Sequence, residues 1–235
     1  MNKEMKITGD NFKIILNRVR QIGVINTFRL NFKYLPFRKA VKFPILAGKN
    51  LKIKKLKGSV EILNPKTGCI KIGFDHLGGM FDYQKERAIW EVRSVCRVVF
   101  EGEAKIGNGC RICVVDGGSL FIGDSFEVAA KTTLLCSHDI RIGRECLFSW
   151  EIMIVDSDLH PVFDNNGTLL NKTDRLVIGD RVWIGCRATI LKNSQIPSGA
   201  IIGAGSLVNS KLEIPNSMYG GVPCRLLKSD VCWKR

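Results

Sequence analysis

The chain has 235 residues, 45% of them apolar and 25% charged, which makes it globular and long enough for one repeat domain with appendages. Its nine cysteines are an odd number without paired metal-type spacing, Cys110 and Cys113 forming the only C-x-x-C. Such usage suits reduced thiols in a cytosol better than a secreted disulfide framework. The net charge of +14 is lopsided: residues 1–60 hold fifteen Lys or Arg against Glu4 and Asp10, and the rest is close to neutral. The asymmetry points to an anionic partner for the N-terminal part (a membrane surface, an acidic glycan or nucleic acid), or to a solvated basic face.

Residues 11–22, "NFKIILNRVRQI", space Phe12, Ile15, Leu16, Val19 and Ile22 for one face of a short amphipathic helix. That helix could cap the end of the domain or lie on a membrane interface. No uninterrupted apolar core precedes it, so no signal peptide is expected. From Thr27 to Leu46 aromatic and basic residues alternate, broken by Pro36 and Pro44, and an extended, irregular segment is expected. No nucleic-acid motif accompanies these aromatics, so no nucleic-acid partner is expected. Residues 1–49 are thus read as a basic N-terminal helix and extended cap segment.

Strand-like alternation begins at Leu51–Ile53 and returns at Val60–Ile62 and Ile70–Ile72, with 74–88 as an inserted loop. A six-residue clock follows. Phe100, Ile106 and Ile112 stand six apart, as do Ile122, Val128, Leu134 and Ile140, and then Ile142, Phe148 and Ile154. It is most regular over Leu176–Ile214, where Ile178, Ile184, Ile190, Ile196, Ile202, Val208 and Ile214 mark every sixth place. Mostly small residues stand two before them (Ala188, Ser194, Ala200, Ser206), and Gly179, Gly185, Gly203 and Asn209 just after, read as left-handed corners. A period of six fits neither an α-helix nor a single strand. It fits a short strand, a corner and a repeat, three times per coil: a parallel β-helix over residues 50–214. Residues 215–235 form a tail packing along it, with a short helix expected to begin in Leu226–Trp233.

The segments "DSDLHPVFDNNGTLLNKTDRLVIGDRVWIGCRATIL", "IPSGAIIGAGSLV" and "IPNSMYGGVPCRLLK" resemble the hexapeptide-repeat acyltransferases. Within them they are most similar to the O-acetyltransferases of sugars and of capsular or lipopolysaccharide glycans. The resemblance covers over a third of the chain. It implies an all-β, left-handed β-helix, a homotrimer, acetyl-CoA as donor and a saccharide or glycan acceptor. The cysteine usage suggests a cytoplasmic location, and the basic N-terminal part adds peripheral contact with the inner membrane surface as an expectation. The left hand comes from this resemblance alone, since parallel crossovers are otherwise right-handed.

His160 stands where the clock stops and a polar loop, 161–175, leaves the coil. In the family the matching histidine is the general base, taking the proton of the acceptor hydroxyl as its oxygen attacks the thioester, work that suits an imidazole. Asp158, two residues earlier, is expected to orient it through a ring nitrogen; Asp156, Glu145 or Glu151 could serve instead. The resemblance implies that Ser149 and Trp150 in "CLFSWEIMI", with Asp156, line the acceptor pocket; Trp150 could equally be covered by a neighbouring subunit. It further implies a donor groove from Trp183, Gly185 and Ala204, with Arg225 and Lys228 near the nucleotide phosphates. The family's usual Thr-Lys is here Asn209-Ser210, with Lys211 one place later, which shifts those phosphate contacts. His138 lies about one coil before His160, and His76 completes the histidines. Histidines close in sequence, as a zinc site of this fold needs, are missing, so no metal is expected. Two further activities stay open on this fold: N-acylation of an amino sugar, and a non-catalytic trimeric scaffold or glycan-binding module.

Overall fold

The computed structural model describes residues 19–75, 80–83 and 85–235. From Ile45–Ala47 to Leu207–Val208, each strand pairs in parallel with the strand three places further along the chain, building three flat sheets. The six-residue clock becomes three inward columns. Sheet one stacks Ile72, Ile106, Val128, Phe148, Ile184 and Ile202. Sheet two stacks Trp90, Ile112, Leu134, Ile154, Ile190 and Val208. Sheet three stacks Phe100, Ile122, Ile142, Ile178 and Ile196. Every one of these side chains is at most 2% exposed, and each buried aliphatic contributes about 1.5–3 kcal/mol. The small residues two places earlier, Ala188, Ser194, Ala200 and Ser206, are buried at the corners.

The corners differ from expectation in one respect. Left-handed backbone falls three residues after each inward Ile, at Arg181, Arg187, Asn193, Gly199 and Gly205, rather than at Gly179, Gly185, Gly203 or Asn209. Gly179 and Gly185 are needed for another reason. A Cβ at Gly179 would lie 2.6 Å from the backbone nitrogen of Ser198, and one at Gly185 would lie 2.7 Å from that of Ala204. The next coil sits directly on these glycines, so close stacking, and not φ, selects them.

From Trp90 onward, strands joined across the other two corners keep their inward residues six apart, and every extra residue falls at the corner between sheets two and three. There the interval is ten from Trp90 to Phe100 and from Ile112 to Ile122, eight from Leu134 to Ile142, and twenty-four from Ile154 to Ile178. One edge of the prism therefore carries the irregular backbone, and His160 lies on it.

The ends close differently from the reading of the sequence. The expected helix at 11–22 lies outside the described residues as far as residue 18; beyond it Val19 and Arg20 are helical and Ile22 bridges Gly48. The expected extended segment is helical, as α1 (Val24–Tyr34) and α2 (Phe37–Ala40). Phe28 and Phe32, and Thr27 and Asn31, are four apart and share helical faces, a spacing that the aromatic-basic alternation disguised. The Thr27 and Asn31 side chains satisfy the open edge of the first strand. Asn31 Nδ2 donates to the Ile45 carbonyl at 2.7 Å, while the Ile45 and Ala47 amides donate to Asn31 Oδ1 and Thr27 Oγ1. A bare edge strand is thereby covered. At the other end Ile214 is 44% exposed; Leu212, 8% exposed and next to the Gln195–Lys211 bridge, follows Ile196 in the sheet-three column instead, while Tyr219, 3% exposed, pairs with Ile202 and extends sheet one. No helix begins at Leu226: Arg225–Lys228 is a strand antiparallel to Met218–Gly220. Beyond it the tail runs back down the prism, with Val231 N–H bonded to Asn216 O, Trp233 Nε1 to Arg181 O and Arg235 to Ser125 O.

Candidate functional site

The segment between Met153–Val155 and Leu176–Ile178 leaves the coil as a small hairpin. Phe163 bridges Leu169, and the Asp164 carboxylate accepts from the Asn166 and Thr168 amides at 2.9 and 2.8 Å around the left-handed Gly167. His160 stands at its root, exposed, and its ring makes no hydrogen bond among the described residues. Its backbone is held firmly. Asn171 Nδ2 donates to the His160 carbonyl at 2.8 Å and to Asp158 Oδ2 at 2.7 Å, while Asn171 Oδ1 accepts from the Val162 amide at 2.8 Å. Lys192, from the coil above, donates to Asp158 at 2.6 Å and to the Asn171 carbonyl at 2.9 Å. These contacts tie the outgoing limb, the returning limb and the next coil together around one histidine. Asn171 and Lys192 escaped the sequence reading, because nothing in "LNKTDR" or "ILKNS" marks them before the limbs are brought together.

The carboxylates do not play the parts expected of them. Asp158 faces Lys192 and Asn171 and makes no bond to the His160 ring among the described contacts. The Lys192 ammonium, then the Asn171 amide, hold its carboxyl below the ordinary range. Asp156 is no acceptor contact: it is fully buried, and its two oxygens accept from the Ser137 and His138 amides at 2.7 and 2.9 Å. It thereby satisfies the two residues that widen the coil beneath, a structural duty at the same edge. Glu151 pairs with Arg187 at 2.8 Å, and Glu145 lies 3.9 Å from Arg181.

The residues expected along the donor groove fall in two places. Trp183 is a third exposed on the outer face of sheet one, its Nε1 3.4 Å from Ser149 Oγ and its ring 6.2 Å from that of Trp233. Gly185 and the exposed Ala204 stack at the corner between sheets one and two. Trp150 is half-buried near that corner, against Phe81 from the 75–88 loop of the same chain, ring centroids 6.5 Å apart. Arg225 and Lys228 lie exposed on the last strand of sheet one, without an ion pair among the described residues. Asn209 and Lys211 instead follow the last strand of sheet two, at the edge that carries His160. One chain alone does not gather all of these into one groove.

His138 is exposed on the coil below His160, and His76 lies outside the described residues. Among the described residues no three His, Cys, Asp or Glu side chains are grouped to hold a metal. Burial pushes the Cys110 and Cys146 thiols up to about 12 and raises Cys136 as well, so they serve as small apolar fillers and not as nucleophiles. No helix of the described residues is long and apolar enough to cross a membrane.

Residues 175–210 match the family described as bacterial transferase hexapeptide (six repeats), and with that repeat comes the left-handed turn of the β-helix. Over 96% of both chains, this one is 25% identical to an uncharacterized 24.8 kDa protein in the cps region of Klebsiella pneumoniae. It is 25% identical to the putative lipopolysaccharide biosynthesis O-acetyl transferase WbbJ of Escherichia coli K12, over 58% of this chain and 77% of that protein. It is 27% identical to the polysialic acid O-acetyltransferase of Neisseria meningitidis, over 60% of this chain and 72% of the relative.

Proposed function

We propose that this chain, a hexapeptide-repeat acyltransferase, transfers the acetyl group of acetyl-CoA to a hydroxyl of a saccharide or surface-glycan precursor, with His160 as general base. One observation carries the reading: an exposed imidazole without a hydrogen-bond partner among the described residues, on a backbone whose carbonyl is held by Asn171, itself fixed by Asp158 and Lys192. A base must be open to the proton it takes and fixed in position relative to the attacking oxygen. His160 accepts the proton of the acceptor hydroxyl while that oxygen attacks the thioester carbonyl. The same imidazolium then returns the proton to the departing thiolate. Asn171 acts on the reaction through the backbone of His160, and Asp158 through Asn171.

Ser149 and Trp183 form an exposed polar-aromatic pair suited to one end of the substrates. Arg225 and Lys228, without ion pairs among the described residues, and Lys211 supply cations for the phosphates of the donor. Their distribution over two edges of one prism supports a site completed by a second chain, and the reading therefore includes a homotrimer. The His160 hairpin offers an apolar surface to such a neighbour, with Leu159, Val162, Phe163 and Leu170 all exposed. Closed threefold assembly covers such surfaces symmetrically.

The test is to incubate the protein with acetyl-CoA and a panel of saccharides, following release of free thiol. Thiol release that depends on a hydroxyl acceptor supports the reading. Release that requires an amino sugar reassigns the acceptor, and none with any acceptor defeats the enzyme. Light scattering that finds a fully active monomer defeats the shared site.

A further inference from the structure

The cap opposite the C-terminal end has an inner and an outer face. Its inner face, with Leu30 and Asn31 wholly buried and Thr27 nearly so, closes the β-helix. Its outer face is apolar. Val24, Ile25 and Phe37 are 72–76% exposed, and Phe28 and Val41 are exposed beside them. Val24, Phe28 and Phe32 follow each other at four-residue steps along α1, and Ile25 lies three before Phe28, so they share one stripe. Phe28 stacks on Phe32 with centroids 4.1 Å apart, and Phe32 lies 6.0 Å from Phe37 and 6.1 Å from Phe43, which joins the stripe of α1 to α2 in one patch.

Positive charge surrounds that patch. From residue 19 to residue 60 the chain has eleven Lys or Arg and no Asp or Glu. Arg20, Arg29, Lys33, Arg38, Lys39 and Lys42 are all exposed, and none enters an ion pair among the described residues. Further up, the first strand of sheet two exposes Lys52, Lys54 and Lys55. Elsewhere on the prism, outward cations are commonly paired, as Arg97 with Glu61, Arg144 with Glu101 and Arg187 with Glu151.

We infer that this cap docks the protein on an anionic lipid bilayer, the exposed Phe and aliphatic side chains entering the interface while the Lys and Arg ring meets acidic headgroups. A second copy of the cap would bring two uncompensated positive surfaces together. A soluble polyanion would engage the cations but leave Ile25 and Phe37 in water. A bilayer with acidic headgroups satisfies both faces of the patch at once.

The experiment uses the full chain and vesicles of phosphatidylcholine with or without phosphatidylglycerol, separated by flotation. The double variants Ile25→Ser with Phe37→Ser, and Arg38→Gln with Lys39→Gln, touch only exposed side chains, and their melting midpoints are measured alongside. The parent should float with phosphatidylglycerol vesicles and far less with phosphatidylcholine alone. Removing two charges should weaken that binding roughly 25-fold, at about fivefold per charge near the surface. The apolar double variant should weaken it at least about tenfold, with the melting midpoint retained. Failure of the parent to bind phosphatidylglycerol vesicles would overturn the inference. So would retained vesicle binding by the apolar variant together with tight binding to heparin, which would assign the surface to an anionic polymer. A fall in molecular mass on changing Ile25 and Phe37 would assign it to a subunit interface.

Discussion

Residues 176–208 and residues 156–175 adjoin in the chain and follow different rules. The first stretch repeats every six residues, buries an aliphatic side chain at each repeat, and gains its order from the coils above and below. The second buries little beyond Asp156, exposes several apolar side chains, and is held by a few polar contacts to Asn171 and Lys192. Stability is concentrated in the stacked columns, whereas the candidate chemistry sits where stacking is interrupted. Loops are where binding and catalytic groups concentrate, provided that a rigid scaffold positions them.

The sharpest way to break this division is at its most separable residue. His160→Ala should lower acetyl transfer by about 10²–10⁴-fold, the usual contribution of a general base, while leaving the melting temperature unchanged. His138→Ala, on the coil below, should keep most of the activity. Parental transfer rates in His160→Ala would remove the histidine from the mechanism.

The reverse change belongs in the coil. Ile184→Ala, at a fully buried column position, should cost about 2–5 kcal/mol of stability, read as a lower denaturant midpoint. Turnover per folded molecule should change little. If activity fell while the midpoint held, coil and loop would not be separate in the way described.

A smaller effect tests the clasp between the two regions. Asn171→Ala removes the bonds to the His160 carbonyl, Asp158 and the Val162 amide. It should reduce kcat roughly tenfold, about 1.4 kcal/mol of barrier, with KM for acetyl-CoA near the parental value. Hydrogen exchange at the Val162 amide should quicken, and a KM change with constant kcat would place Asn171 in donor binding instead.

The smallest effect is on acidity. Lys192, then Asn171, hold the Asp158 carboxyl below its ordinary range. The charged contact is therefore complete at neutral pH and is lost as pH falls through that depressed value. Lys192→Met should move this loosening up into the ordinary carboxylate range, which hydrogen exchange across 158–171 would follow. An acid profile identical in the two proteins would show that the ion pair does not hold the hairpin.

Much of the architecture was legible because period six has one stacking solution. Ile178 to Val208, and the earlier Phe100–Ile112, Ile122–Leu134 and Ile142–Ile154 runs, point inward wherever the clock places them. His160 could be found as the residue at which the clock stops. The chain order alone did not show the α1 cap, where Thr27 and Asn31 serve a strand edge fourteen to twenty residues away. It did not show that Ile214 yields its column to Leu212.

Local pattern by itself determined the repeat, the inward face and the position of the excursion, because these depend on residues six apart whose environments recur. Only the tertiary structure decided the partners of polar groups. In one dimension Asp156 and Asp158 both stand within four residues of His160, and Asp158 is the preferred orienter. Asp156 is buried under two backbone amides of the coil below, whereas Asp158 meets a lysine of the coil above. Which coil lies above or below a carboxylate is fixed by how many residues each turn contains, and a buried or charged oxygen takes the donor that this stacking brings to it.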